Sequence, residues 1–174
     1  MTAPRDGQTG TRPPTPRFLV DAMLGNVTRD LRLLGYDAAF VGGEDDAAIL
    51  GRAQREGRIL VTRDRELARR AARLPLVLVA TGVPDDQASE VLRALGQTDP
   101  PAPFSRCLAC NGELASVPQE TLRGSLPDHI AHSQRAFVAC TVCGRAYWGG
   151  SHGARLRTRV QRLARSLHPG RGPV

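Results

Sequence analysis

The sequence predicts an α/β fold: a central parallel sheet flanked by helices, then a small cysteine-bearing module and a basic C-terminal helix. Three observations carry this. Short apolar runs alternate with helix-length segments through residues 17–97. All four cysteines follow them, in two Cys-x2-Cys pairs. The positive charge is confined to the second part: residues 1–103 balance fourteen arginines with fourteen acids, whereas residues 104–174 carry ten arginines against three acids.

Residues 1–16 are rich in Pro, Gly, Thr and Arg and predict a disordered tail. Phe18, Leu19 and Val20 form a buried strand that ends in Asp21. A helix follows with Val27, Leu31 and Leu34 on its apolar face, and Gly35 stands where a helix C-cap belongs. Residues 38–41 read as a second strand closed by Gly42 and Gly43. Asp45 or Asp46 caps the next helix, which carries Ile49, Leu50 and Ala53 and stops at Gly57. Residues 58–62 are a third strand, about 64–73 a helix, 76–80 a fourth strand and 84–95 a helix with Asp85 and Asp86 in its first turn. This βαβαβαβα order implies parallel strands covered by helices on both faces. Residues 98–103 are a Pro-rich linker, 104–153 the cysteine module, 154–168 a basic helix with Leu156, Val160, Leu163 and Leu167 on one face, and 169–174 a tail.

No run approaches the ~18 apolar residues that span a membrane, and the first sixteen residues lack the apolar core of a secretory signal. The expected location is cytoplasmic. In that reducing compartment paired Cys-x2-Cys knuckles act as metal ligands rather than disulfides. Cys107, Cys110, Cys140 and Cys143 therefore predict a structural zinc site. Asn111 and Gly144 each directly follow the last cysteine of a pair and tolerate the positive φ that such turns use. Four thiolates close the coordination shell, so no zinc catalysis is expected. Iron is an alternative occupant. His129, His132 and His152 are then structural or exposed rather than ligands.

In an open parallel sheet, chemistry gathers at the C-terminal ends of the strands. Asp21, Asp46 and Asp64 fall there, with Asp45 beside Asp46 and the Asp85/Asp86 pair more loosely placed. Carboxylates sharing a crevice repel unless a cation lies between them, and Mg2+ or Mn2+ prefers oxygen ligands. Such an ion activates water for in-line attack on a phosphodiester. Helix capping is the competing role for Asp46 and Asp64. Arg29 and Arg32, three apart on the first helix, and Arg63 beside Asp64 could clamp a phosphate backbone or simply face solvent and neighbouring acids. Tyr147 and Trp148 could stack on bases or pack the small module. All 24 basic residues are arginine, which suits phosphate forks and equally reflects a biased composition.

Residues 18–25, 29–37 and 58–64, with the two cysteine pairs and residues 147–152, resemble the Mut-seven C-terminal (Mut7-C) RNase domain family. The likeness covers about residues 17–155. It implies a PIN-like ribonuclease domain at 17–97 with an appended zinc ribbon. Carried over, Asp21, Asp46 and Asp64 are the catalytic, Mg2+- or Mn2+-binding acids, and Arg29 and Arg32 are helix-one substrate contacts. The expected activity is metal-dependent endoribonuclease action on RNA, aided by the ribbon and basic C-terminus. A non-catalytic RNA- or ribosome-binding adaptor is the alternative, and an antitoxin-like partner is unsupported by any segment.

Overall fold

The computed structural model describes residues 14–122, 124 and 126–168. Most of the expected N-terminal tail and all of residues 169–174 lie outside them. The first unit runs β1 (Arg17–Val20), α1 (Gly25–Leu33), β2 (Asp37–Phe40), α2 (Asp46–Glu56), β3 (Ile59–Thr62), α3 (Arg65–Arg70), β4 (Leu76–Leu78) and α4 (Pro84–Ala94). A 3-10 turn over Ala22–Leu24 joins β1 to α1. The sheet order is β2-β1-β3-β4, and every pair is parallel.

Alternation along β1 decides which core each side chain enters. Phe18 and Val20 pack on one face with Val27 and Leu31 of α1 and Val91 and Leu92 of α4. Leu19 packs on the other with Ile49 and Ala53 of α2 and Leu67 of α3. Both faces are covered, so the strands are apolar between their ends rather than alternately polar. The turn after α1 needs Gly35 twice over. Its φ is +92°, and a Cβ there would stand 2.1 Å from the carbonyl oxygen of Ala102, so the linker lies directly on that turn.

The second unit is an antiparallel sheet, β5-β6-β7, formed by Leu114–Val117, Phe137–Cys140 and Ala146–Trp148. Between β5 and β6 the chain makes a 3-10 turn (Gln119–Leu122) and the short α5 (Asp128–Ser133).

The last helix, α6, spans Ser151–Leu167 and so begins three residues before the expected start at 154. It is not an independent appendage. Leu163 and Leu167 are buried in the core beneath α1 and α4. Ser89 and Ser166 hydroxyls meet at 2.5 Å. Arg159 forks onto Asp30 of α1, with Nε donating at 3.1 Å, and Arg162 pairs with Asp85 at 2.8 Å. Asp30 is only 6% exposed, so its charge requires that partner. The chain leaves the α/β unit for the ribbon and returns to complete its helical layer. Among the described residues no helix is long and apolar enough to cross a membrane.

Candidate functional site

The four cysteines converge. All four Sγ atoms lie within 4.8 Å of one another. Cys107 and Cys143 sulfurs are 3.7 Å apart, and those of Cys110 and Cys140 are 3.3 Å apart. Tetrahedral zinc with bonds of about 2.3 Å separates its sulfurs by about 3.8 Å, so this cage fits such an ion. The knuckles are built as their sequence implies. Asn111 (φ 71°) and Gly144 (φ 70°) take the left-handed turns, and their amides donate to the carbonyls of Cys107 and Cys140, both at 3.0 Å. A Cβ at Gly112 would come within 2.8 Å of the Cys140 sulfur, so the first turn has no room for a side chain.

The thiols are electrostatically unlike. Burial opposes charge on Cys107, but the Tyr147 hydroxyl 3.1 Å away and the amides of Cys110 and Ala109 outweigh it and bring the thiol down to about 6. At Cys110 the Gly112 amide favours the thiolate, yet burial and the three crowded sulfurs push it up to about 12. Thiolates packed this closely are stabilised together by a divalent cation between them. Burial and Cys107 push Tyr147 up to about 12 as well, so its hydroxyl stays a donor at neutral pH.

The first knuckle is bolted to the α/β unit. Arg32, expected among the phosphate contacts, is 7% exposed. Its Nε donates to Ala38 O at 2.9 Å, and one terminal nitrogen donates to Leu108 O and Ala109 O, both at 3.0 Å. Asn111 accepts from the Ala38 amide at 3.0 Å and donates to Asp37 at 2.6 Å. Asp37 is held in turn by Arg58 at 2.7 Å.

The aspartates occupy different settings. Asp21 follows β1, and its Oδ2 accepts from the Thr62 hydroxyl at 2.6 Å. That hydroxyl oxygen accepts from the Asp64 amide at 2.9 Å. Fully buried Thr62 thus ties Asp21 to the start of α3 across adjacent parallel strands. Asp64 Oδ1 caps α3, accepting from Glu66 N at 2.7 Å and Leu67 N at 3.2 Å. Asp45 is the cap of α2, and Asp46 in its first turn pairs with Arg70 at 2.6 Å. Among the described residues, the cysteines form the one group of three or more potential ligands close enough to share an ion; the three aspartates do not form another. Thr62 links the Asp21 carboxylate to the Asp64 backbone, and Asp46 is drawn to Arg70 instead. Thr62 was not anticipated, although a Thr closing an apolar strand two residues before an acid is a readable signal.

A pocket of about 510 Å³ opens between α1 and the ribbon, with Arg29, Arg32, Arg145 and His152 in its wall. Arg63 is exposed and takes no part in it. A second, more apolar pocket of about 440 Å³ lies under the ribbon between Phe104, Trp148 and Leu156. His132 is spent on its own helix, with Nδ1 2.7 Å from Asp128 O.

Comparison with known proteins gives two findings. The sequence model described as the Mut7-C RNAse domain matches residues 16–160. The chain is also 25% identical to the human protein called "Exonuclease mut-7 homolog" over 228 aligned positions, which cover 86% of this chain and 26% of that protein. The chain therefore spans about a quarter of that relative's length. No solved structure matches.

Proposed function

The chain belongs to the Mut7-C RNAse domain family, and from that premise we propose that it is a Mg2+- or Mn2+-dependent ribonuclease that hydrolyses phosphodiester bonds of RNA. One observation carries the reading: the Asp21–Thr62–Asp64 chain at the C-terminal ends of β1 and β3. That is where open parallel sheets hold their chemistry.

The residues fit a divalent ion that keeps most of its waters. Among the described residues, Asp21 Oδ1 and Asp64 Oδ2 have no hydrogen-bond partner. Magnesium is commonly held by one or two carboxylates plus water and substrate oxygens. Asp46 joins them only by releasing Arg70. Bound there, the ion supplies Lewis-acid polarisation of the phosphoryl group and a more acidic water. Thr62 fixes the Asp21 carboxylate by donating to it, and the α3 amides hold Asp64. The ribbon site, with four thiolates, supplies structure rather than reaction.

The test is Mn2+-supported cleavage of a single-stranded RNA by the wild type and Asp21→Asn. A loss of at least about 100-fold is expected, the scale seen when a charged transition-state contact is removed. Equal rates end the assignment. Product lengths separate internal from terminal cutting.

A second reading has its own observation. The Asp46–Arg70 pair and the lack of a three-carboxylate cluster among the described residues favour a non-catalytic RNA-binding adaptor. It predicts salt-sensitive RNA retention with no cleavage in any divalent metal.

A further inference from the structure

We propose that the pocket between α1 and the zinc ribbon is a subsite for the phosphate backbone of single-stranded RNA, gripped by Arg29 from one side and Arg145 from the other. The inference rests on the nuclease reading and gives it a substrate path.

Charge argues first. Three arginines and His152 line the pocket, and no acidic residue does. Arg32 is already committed: it donates to three backbone carbonyls and lies beside the first cysteine knuckle. Arg29 and Arg145 are different. Both are exposed, and among the described residues neither has an ion pair or a side-chain hydrogen bond. Other arginines packed on the α/β unit are taken up by acidic partners, as Arg58, Arg70 and Arg159 are. Two guanidinium groups lining one pocket, one from α1 and one from the ribbon, attract an anion, and their planar forks suit phosphate oxygens.

Size and position argue for a polymer. About 510 Å³ exceeds what one phosphate fills. Phe40, 41% exposed, lines the same pocket and offers a face on which a base can stack. Phe40 also pairs in register with Val20, the residue before Asp21. Neighbouring strands stand about 4.8 Å apart, so the pocket opens beside the strand end that bears Asp21. A strand seated on Arg29 and Arg145 is thereby delivered to that carboxylate.

The test uses the zinc-loaded full chain carrying Asp21→Asn, without added magnesium or manganese, and a fluorescein-labelled single-stranded oligouridylate. Binding is measured across a salt series. Arg29→Gln with Arg145→Gln should weaken binding at least about tenfold at low salt and flatten the log K against log salt slope by about 1.4, two contacts at ~0.7 each. Arg55→Gln with Arg73→Gln, an equal charge change elsewhere on the surface, should leave both nearly unaltered. Unchanged affinity and slope in the pocket pair overturns the proposal, and so does an equal loss in the control pair. Zinc content checks that the Arg145 change spares the neighbouring knuckle. If it does not, Arg29→Gln alone, a change on α1 outside both knuckles, should give half the slope change, and no change in it also overturns the proposal. Cleavage is not read here. A nuclease that fails at Asp21 leaves this result standing, whereas Asp21-dependent cleavage with intact binding in the pocket pair sinks the subsite alone.

Discussion

The two sheets are held by different forces. The parallel sheet is buried on both faces: Phe18, Leu19, Val20, Leu60 and Val61 are inaccessible to solvent. The ribbon sheet buries little, with Phe137 and Cys140 its well-covered strand positions. Truncating one buried large apolar residue costs about 2–5 kcal/mol, so the first unit has many separate sources of stability. Among the described residues the ribbon rests on less: a cluster of four cysteines that could hold a metal, and the bolt formed by Arg32, Asn111 and Asp37. A unit with a distributed core tolerates losses that a unit hung on four sulfurs does not.

Removing the metal should break the contrast open most widely. Structural zinc contributes on the order of 10 kcal/mol to small domains. With Cys140→Ser, or after chelation, amides of β5–β7 should exchange with solvent at rates near those of an unfolded chain, while those of β1 and β3 stay protected. Uniform loss of protection across both sheets would show that they are one cooperative unit. A smaller effect is expected from Arg32→Ala, which strands the carbonyls of Ala38, Leu108 and Ala109. At the buried Ala38 the acceptor left without a partner costs about 1–3 kcal/mol, and the more exposed Leu108 and Ala109 carbonyls cost less because water can reach them. Urea unfolding should then resolve into two transitions, the ribbon first; a single transition shifted to lower urea would contradict the bolt. The smallest effect concerns pH. At Asp37 burial works against the charge, but hydrogen bonds from Arg58 and Asn111 win and hold the carboxyl below its ordinary 3.8. The folded chain then binds fewer protons than the unfolded one, so stability rises with pH. This contribution is complete above about 3.8 and is lost as pH falls through the folded value. Asp37→Asn should flatten stability against pH in the acid range, and an unchanged slope would count against the pair.

Much of this was legible in the sequence, for stateable reasons. Apolar runs of four residues between glycine-capped helices leave few options besides a parallel sheet, and strand β2 differs from its expected position by one residue. The knuckle spacing and its Asn and Gly turns predicted the sulfur cage. Arg32 was misleading because a guanidinium suits a phosphate and a carbonyl cluster equally; only the approach of residues 108 and 109 decides between them. The four leucine and valine positions of α6 announced an apolar face but not its partner. Leu163 and Leu167 entered the α/β core, while Leu156 lines the pocket under the ribbon. The helix began early because Ser151 and His152 follow two glycines that read as loop. The aspartates were located on the right strand ends, but a linear sequence does not say that Arg70 would claim Asp46.

Helix α6 has a further consequence during synthesis. Its leucines seal the face formed by α1 and α4, yet they leave the ribosome only after the whole ribbon has been made. Until then the emerging α/β unit carries an open greasy surface, available to other chains for as long as the ribbon takes to be made.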